Sequence, residues 1–568
     1  MYGFDILINF TKTESILSSR NAKIGRDDNY IKHNDIIVCN NMIGKFCNDK
    51  LFYQSDDYII ILDGVIVNKK ILMKELGFID NWMQCVVSLY ETQGERFFKK
   101  LEGSFSGALY DKKKDRLIVF SDHIGSKFLY YSAIGDKFIC SSDICNIYEY
   151  FRKEGVNYTL SSEGAFMLLT YGFIVDGVTL CNQIKKIKPG CYLTIENGKV
   201  AQHQFYMISG LPNNNIGSED DIVEQVDQLF RNAIVKHFEK DREYGYKHMA
   251  NLSGGLDSRM TVWVANEMGY KDQLNLTFSQ TGYYDATIPE KIASDLGHEW
   301  LFKSLDGGRW LYDVDEIVNK TGGEVLYFGQ AHGRSLSKYL NHNGFGMVHT
   351  GMLGDVVLGS TYYQSKPFVF GDGAYSRRYI SNIDYKIETD YPTPEMTILY
   401  VRGFDGINCG VQPAYHDIES LSPFCDLELM EYAFSIPVSL RLNHKLYRKW
   451  VIRKYPEAAK YPWSQIEGKI TNPLNFIRIK GIPIAGIPSR VYKKIMHKTT
   501  SNFSMNPIGY YLATNDSLWN YLLGYYKYAD SITDNRLRTV VLDIKQTGKP
   551  VEKIQAVTLL SAIKQFYV

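Results

Sequence analysis

The chain has 568 residues, too many for one hydrophobic core, because single cores stop growing near ~250–300 residues. Its 64 lysines and arginines balance 63 aspartates and glutamates, for a formal charge of +1, which disfavours a nucleic-acid partner. No apolar run approaches the ~18 residues of a membrane span, and the first residues lack the features of a secretion signal. Nine cysteines without CxxC spacing predict reduced thiols, so we expect a cytoplasmic protein.

The first part of the chain, residues 1–205, predicts a domain of short strands. These segments are rich in β-branched and aromatic residues and are separated by turn-forming pairs. The predicted strands include residues 58–62, 107–110, 116–120, 127–131 and 137–140. One helix interrupts them at residues 80–91, and the pair Asp63-Gly64 predicts a hairpin turn.

Residues 206–220 form the predicted linker, because they combine Pro212 with three consecutive asparagines. From residue 221 onward an amphipathic helix comes first, and strand-like and helix-like segments then alternate at residues 274–278, 288–296 and 346–350. This alternation predicts a second domain, residues 221–568, built on a doubly wound parallel sheet with helices on both sides. Beyond residue 417 the segments are mainly helical.

A glycine-rich loop between a predicted strand and a predicted helix is the most informative motif. It consists of Leu252, Ser253, Gly254, Gly255, Leu256, Asp257 and Ser258. Two adjacent glycines let the backbone approach an anion, and hydroxyls beside the N–H groups of a helix start bind phosphate. An aspartate in such a loop indicates Mg²⁺ between the carboxylate and the phosphate. The alternative is a serine-glycine turn that only starts a helix.

The loop resembles the SGGLDS pyrophosphate loop of the N-type ATP pyrophosphatases, which adenylate a substrate and release pyrophosphate. Upstream, residues 101–111, 121–131 and 141–144 resemble motifs of class II glutamine amidotransferases. In this order the motifs resemble the glutamine-hydrolysing asparagine synthetase family over nearly the whole chain. The resemblance implies an Ntn-hydrolase-like αββα sandwich, followed by an ATP pyrophosphatase domain with a helical C-terminal part.

Residues 350–359 resemble the second signature of that family. The match implies that Thr350 and Gly351 contact the nucleotide. It also implies that Asp355 shares Mg²⁺ and pyrophosphate with Asp257, so that both carboxylates act in catalysis.

Two more site residues follow from the resemblance. Phe278 ends a strand that resembles the one contacting adenine in the family. Lys469 is the candidate for the family's catalytic lysine, and a solvated loop lysine is an equal alternative. Residues 422–437 resemble a further family motif, which packs at the ligand edge of the sheet.

The glutaminase-like part departs from the family at its catalytic site. Tyr2 stands where the family has its nucleophilic cysteine, and a phenol with a pKa of ~10 is a poor nucleophile at neutral pH. Asp63 and Val65 replace the asparagine and the glutamate of the family's N-G-E motif, and the arginine that grips glutamine has no match between residues 40 and 54. These losses predict a silent glutaminase.

The resemblance therefore implies an ATP- and Mg²⁺-dependent ligase that adenylates a small-molecule, sugar or peptide carboxylate and transfers it to ammonia or an amine. Family members without the nucleophile include β-lactam synthetases, lasso-peptide cyclases and amide-forming enzymes of surface-polysaccharide pathways, and the last are the most similar in overall character. A homodimer is compatible with the sequence. One alternative is intramolecular amide formation of the lasso-peptide-cyclase or β-lactam-synthetase kind, and another is a non-catalytic nucleotide-binding scaffold. A third is a tRNA-modifying ATP pyrophosphatase, which the near-neutral charge disfavours.

Overall fold

The computed structural model describes residues 3–10, 30–213, 215–360, 375–408, 417–476 and 503–568, and in addition the backbone of residues 478–479 and 482–483. Tyr2, on which the predicted loss of the glutaminase nucleophile depends, lies outside these ranges. Within them, no helix is long and apolar enough to cross a lipid bilayer.

The N-terminal half forms two six-stranded sheets in which every pair of neighbours is antiparallel. The strands are β1 Gly3–Ile8, β2 Tyr30–His33, β3 Ile36–Asn41, β4 Leu51–Gln54, β5 Tyr58–Ile66, β6 Gly103–Asp111, β7 Arg116–Ser121, β8 Tyr130–Ile134, β9 Lys137–Ser141, β10 Lys185–Lys186, β11 Cys191–Glu196 and β12 Lys199–Gln204. The first sheet has the order β10-β8-β9-β1-β3-β2, and the second has the order β12-β11-β7-β6-β5-β4.

The two sheets pack face to face, because alternate residues of their strands point into one shared core. Ile6 and Val38 from the first sheet meet Ile61 and Val119 from the second in this core. Helices α1 (Lys69–Glu75) and α2 (Trp82–Gln93) cover the outer face of the second sheet, and α3 (Ile144–Glu154) and α4 (Ser162–Tyr171) cover that of the first. The predicted αββα sandwich is confirmed.

The predicted hairpin turn at Asp63-Gly64 is wrong. Both residues lie inside β5, which pairs with β6 along its whole length. Gly64 has a φ of +139°, and a Cβ there would lie 2.1 Å from the carbonyl oxygen of Ser104. Glycine is needed here for the close approach of two strands, and a two-residue pattern cannot distinguish that need from a turn.

The C-terminal half contains a five-stranded parallel sheet. Its strands are β13 Lys247–Asn251, β14 Gln273–Ser279, β15 Glu299–Ser304, β16 Phe345–His349 and β17 Ser420–Leu421. Their order is β15-β14-β13-β16-β17. The order reverses between β13 and β16, and such a switch point is where open α/β sheets bind their ligands.

Helices cover both faces of this sheet, as the predicted doubly wound fold requires. The helices described in the C-terminal half are α5 Glu219–Glu243, α6 Leu256–Glu267, α7 Tyr284–Leu296, α8 Val314–Thr321, α9 Phe328–Ser337, α10 Gly354–Gly359, α11 Pro394–Ile398, a π-helix Leu399–Ile407, α12 Leu427–Ser435, α13 Val438–Arg441, α14 Lys445–Lys454, α15 Pro456–Ala459, α16 Ile508–Thr514, α17 Asp516–Leu523, α18 Asn535–Thr547 and α19 Pro550–Phe566. Two short strand pairs lie among them, namely β18 Pro462–Trp463 with β19 Gly468–Lys469, and β20 Arg478–Ile479 with β21 Ile482–Pro483.

The two halves of the chain share one hydrophobic core. Phe566, at the end of α19, stacks on Tyr148 of α3 with ring centroids 4.4 Å apart. The Tyr567 hydroxyl donates to the carbonyl oxygen of Leu180 at 2.7 Å. Helix α19 also packs on α4 and α8, so the end of the chain completes the helix layer over the first sheet.

A buried group of four charges, the ion ring, joins the halves beside β5. Lys50 pairs with Asp63 at 2.9 Å and Glu419 at 3.0 Å, and Lys127 pairs with the same two carboxylates at 3.0 Å and 2.9 Å. Burial acts to raise the pKa of Asp63, but Lys127 and Lys50 outweigh it and lower the pKa to about 2. Two cations thus neutralise two anions within the ring.

One carboxylate clamps the two central strands of the parallel sheet. Asp241 of α5 accepts hydrogen bonds from His248 Nδ1 at 3.0 Å, from His349 Nε2 at 2.7 Å and from the Met347 N–H at 3.0 Å. His248 lies in β13 and His349 in β16, the strands that lead into the two candidate loops. Gly346 permits this contact, since a Cβ there would lie 1.9 Å from Asp241 Oδ1.

The Asp241 clamp gives a first testable prediction. We expect Asp241→Asn to lower the free energy of unfolding by about 3 kcal/mol, because hydrogen bonds to a charged group contribute roughly 1.5–3 kcal/mol each. Urea unfolding at pH 7.5 measures the change. Asp220→Asn, on the exposed surface of the same helix, is the control and should leave the midpoint unchanged. Equal midpoints for Asp241→Asn and the unaltered protein would contradict the clamp.

The ion ring gives a second prediction. Glu419→Gln leaves two buried lysines with one carboxylate, so we expect a loss of about 3–5 kcal/mol in unfolding free energy. Glu457→Gln, which removes an exposed pair with Lys460, should have little effect. Because the folded pKa of Asp63 is lowered to about 2, its contribution is present above the unfolded pKa of ~3.9 and is lost as the pH falls towards 2. If Glu419→Gln were as stable as the unaltered protein at pH 7, the ring would contribute nothing to stability.

Candidate functional site

The carboxyl ends of β13, β14 and β16 surround a cavity of about 580 Å³ at the switch point of the parallel sheet. This volume is in the range of small-molecule sites. The predicted nucleotide-binding residues that line it are Leu252, Ser253, Gly255, Asp257, Ser258, Phe278, Thr350 and Gly351. Gly254 is not among its described lining residues, and the Gly254 N–H donates to Asp285 Oδ1 at 2.8 Å.

The glycine-rich loop is closed by its own two serines. The Ser253 N–H donates to Ser258 Oγ at 3.0 Å, the two hydroxyl oxygens lie 3.0 Å apart, and the Gly255 N–H donates to Ser253 Oγ at 3.2 Å. Gly255 is the N-cap of α6, a helix of 12 residues. The first N–H groups of such a helix lack helical partners, so the loop has the local structure that binds anions.

Asp257 and Asp355 form a half-buried pair of like charges. Asp257 lines the cavity, whereas Asp355 is not among its described lining residues. Burial raises the pKa of Asp257 well above its usual range and the charge of Asp355 adds to the rise, while burial also raises the pKa of Asp355. The Tyr447 hydroxyl donates to Asp257 Oδ1 at 2.8 Å. A Cβ on Gly354 would lie 2.7 Å from Asp257 Cγ, and a Cβ on Gly351 would lie 2.4 Å from the Asp257 carbonyl carbon. The second loop can therefore reach Asp257 only because it carries glycines.

The donor set of this pair fits a divalent cation. Two adjacent carboxylates repel each other when both are ionised, and burial increases the repulsion. A hard cation such as Mg²⁺ takes carboxylate oxygens as ligands and would offset that repulsion.

Arg259, the residue after the glycine-rich loop motif, anchors the loop from behind. It is fully buried and donates to the carbonyl oxygens of Gly254 at 3.3 Å, Ala458 at 3.2 Å and Tyr461 at 3.2 Å, and also to that of Pro462. Burial lowers the pKa of Arg259 to about 10, so the guanidinium stays charged at neutral pH. Arg259 is not among the site residues predicted from the sequence, although its position beside the motif was the available signal.

Phe278 provides an aromatic surface at the end of β14. Its ring is half-buried and lies 4.8 Å from the His332 ring, at an angle of 40°. The neighbouring Thr277 accepts a hydrogen bond from Trp300 Nε1 at 2.8 Å, which fixes the strand end. This arrangement suits a planar base, as the sequence predicts for adenine.

The structure does not bring Lys469 to the cavity. Lys469 is exposed in β19 and is absent from the described residues that line the cavity. A different cation, Arg402 of the π-helix, lines the cavity, and its charge acts on Asp355 to lower the pKa of that carboxyl, against burial. No motif surrounds Arg402, so the sequence contained no signal for it.

Two family models match the chain, one in each half, and their order is the order predicted from the sequence motifs. The family model described as a glutamine amidotransferase domain matches residues 45–206, and the model described as asparagine synthase matches residues 413–460.

Two curated relatives are glutamine-hydrolysing asparagine synthetases. Asparagine synthetase 1 of Bacillus subtilis (strain 168) is 25% identical over 280 residues, which cover 47% of this chain and 42% of the relative. Asparagine synthetase B of Escherichia coli (strain K12) is 24% identical over 347 residues, which cover 56% of this chain and 54% of the relative. The chain thus spans about half the length of the curated relatives that it matches.

Among solved structures, the allosteric regulatory enzyme of purine biosynthesis aligns with 56% of this chain and 82% of its own, at 11% identity and a TM-score of 0.24. The resemblance depends on the sequence matches. Both family models in their order along the chain, together with the asparagine synthetase relatives, support a resemblance to the asparagine synthetase family.

Proposed function

We propose that this protein is an ATP-dependent ligase that activates a substrate carboxylate by adenylation, releases pyrophosphate and forms an amide with ammonia or an amine. The observation that carries the proposal is the half-buried pair Asp257 and Asp355, which the close approach of Gly351 and Gly354 brings together beside the glycine-rich loop at the switch point of the sheet. The resemblance to asparagine synthetases supports the same reaction class.

Each part of the cavity has a role in this proposal. The N–H groups at the start of α6 and the hydroxyls of Ser253 and Ser258 would bind the departing pyrophosphate. The Phe278 ring would contact adenine. Asp257 and Asp355 would hold Mg²⁺, whose charge neutralises the phosphates and withdraws electrons from them when it is bound. Arg402 would stabilise negative charge that develops at the reacting phosphate and carboxylate.

A non-catalytic scaffold is a weaker interpretation of the same geometry. Two half-buried neighbouring carboxylates with raised pKa values destabilise a fold when both are ionised. A protein that only presents a surface to partners gains nothing from this arrangement, whereas a metal-dependent phosphate chemistry requires it.

Residues of the N-terminal half indicate which nitrogen donor the proposed reaction uses. Asp63, at the place of the family's asparagine, is held in the ion ring by Lys50 and Lys127. An ionised carboxylate fixed in this way cannot donate a hydrogen bond to an oxyanion. Together with Tyr2 and Val65, this supports ammonia or a substrate amine, rather than glutamine, as the nitrogen donor.

The role of the carboxylate pair can be tested through the products of the reaction and through the stability of the protein. With Mg²⁺, ATP and an accepted acid, we expect AMP and pyrophosphate, and Asp355→Asn should slow their formation on the order of 10²-fold or more. Asp272→Asn, at an exposed position, is the control. ADP and phosphate as products would contradict the mechanism, and full activity of Asp355→Asn would contradict the assignment of Asp355.

The metal-free protein provides an independent readout of the same pair. Raised carboxyl pKa values give stability that is present below the unfolded pKa of ~3.9 and is lost as the pH rises through the folded values. Asp355→Asn should therefore be at least as stable as the unaltered protein at pH 8 without metal, and Mg²⁺ with an ATP analogue should stabilise only the unaltered protein.

The loss of glutaminase activity is a further prediction. We expect purified protein to release no more glutamate from glutamine than its Tyr2→Ala variant, because the side chain at position 2 is not a competent nucleophile. An ammonia-dependent amide-forming reaction with the same preparation shows that the protein is intact. Glutamate release of ~1–10³ s⁻¹ above the Tyr2→Ala control would overturn the prediction.

A further inference from the structure

One wall of the cavity comes from the N-terminal half of the chain. Gly172 and Phe173 directly follow α4 and line the cavity beside Val325 and Leu326. Phe173 forms an antiparallel bridge with Val325, and the Leu326 N–H donates to the Gly172 carbonyl oxygen at 3.0 Å. The cavity is incomplete without the half that resembles a glutaminase.

Close packing fixes the position of this wall. A Cβ on Gly406 would lie 2.6 Å from Cδ2 of Phe173, so the ring rests on the backbone of the π-helix. The preceding residue, Asp405, accepts a hydrogen bond from the Asp176 N–H at 2.7 Å and pairs with the buried Lys186. Both halves of the chain thus hold the Phe173 ring in place.

The chemistry of this side of the cavity is mainly apolar. The apolar and aromatic lining residues are Phe173, Val325, Leu326, Tyr375 and Ile407. The polar ones are Gln330, His332 and Arg402. Burial lowers the pKa of His332 to about 4, so its ring is uncharged at neutral pH. Arg402 is therefore the cation among the described residues on this side.

The carboxylates that line the described cavity belong to its nucleotide side. They are Asp257, which accepts from the Tyr447 hydroxyl, and Asp285, which accepts from the Gly254 N–H. An amino-acid substrate would bring an ammonium group into the cavity, and a buried ammonium needs an anionic partner. Among the described residues, the wall around Phe173 offers none.

We infer that the activated substrate is a carboxylic acid with an aliphatic or aromatic body and without an ammonium group beside its carboxylate. The body lies against the wall formed by Phe173, Val325 and Leu326, and the carboxylate points towards Arg402 and the glycine-rich loop. Phe173 is then a specificity-determining residue, and the N-terminal half contributes to substrate binding. This inference rests on the proposed ligase function.

The substrate class is tested with the full-length protein, ATP and Mg²⁺, by acid-dependent exchange of pyrophosphate into ATP. Hexanoate and phenylacetate represent the apolar acids, and L-aspartate and L-glutamate represent the acids that carry an ammonium group. We expect kcat/KM for the apolar acids to be about tenfold higher or more, which corresponds to about 1.4 kcal/mol.

The role of Phe173 is tested with Phe173→Ala and Phe173→Leu, and with Phe52→Ala as the control. Phe52 is also half-buried in the N-terminal half, but packs against the core between the two sheets. Phe173→Ala should raise the KM for the apolar acid about tenfold to 100-fold, because the burial of one aromatic side chain is lost. Phe173→Leu should have a smaller effect, and the dissociation constant of an ATP analogue should stay unchanged in both variants.

The outcomes separate this inference from the function on which it rests. If no acid of either kind supports exchange while the ATP analogue binds, the ligase function fails, and the inference fails with it. Preference for aspartate or glutamate would overturn the inference and leave the ligase function intact. An unchanged acid KM in Phe173→Leu, with the thermal midpoint of the unaltered protein, would likewise overturn the role of Phe173.

Discussion

The close approach of the loop at Gly351 and Gly354 to Asp257 is the constraint on which the cavity depends. It brings Asp355 beside Asp257, both side chains are half-buried, and there is no room for a Cβ at Gly351 or Gly354. A repulsive contact of this kind persists only if the surrounding structure holds both loops in place. Arg259 holds the first loop from behind, and the Asp241 clamp ties together the strands that lead into both loops. The rigid parts of the sheet thus stabilise an arrangement that is unfavourable by itself.

The N-terminal half is tightly integrated with the C-terminal half. The ion ring places Asp63 between two lysines and links it through them to Glu419 of the C-terminal half. The wall at Phe173 and the packing of α19 add two further contacts between the halves. This half is therefore under structural constraint apart from any activity of its own, because its surfaces are parts of the common core and of the cavity.

The sequence predicted the features that depend on short, local patterns. The alternation of strands and helices predicted the parallel sheet, and the family resemblance predicted the αββα sandwich. The glycine-rich loop lines the cavity at the place expected from its strand-loop-helix context. Features that depend on contacts between distant segments could not be predicted in this way. Arg402 has no motif around it, Phe173 reaches the cavity only through its bridge to Val325, and the ion ring joins residues from four separate segments. Asp63-Gly64 has the composition of a turn, but tertiary pairing places it inside a strand.

The position of helix α19 affects the order in which the parts of this protein can fold during synthesis. The first sheet is made early, yet part of the helix layer over it comes from residues up to Phe566. Contacts between Tyr148 and Phe566 close a loop of several hundred residues, and such long-range contacts form late. The apolar surface around Tyr148 therefore stays uncovered until the residues up to Phe566 have left the ribosome. A chain of this kind depends on protection of that surface against association with other nascent chains.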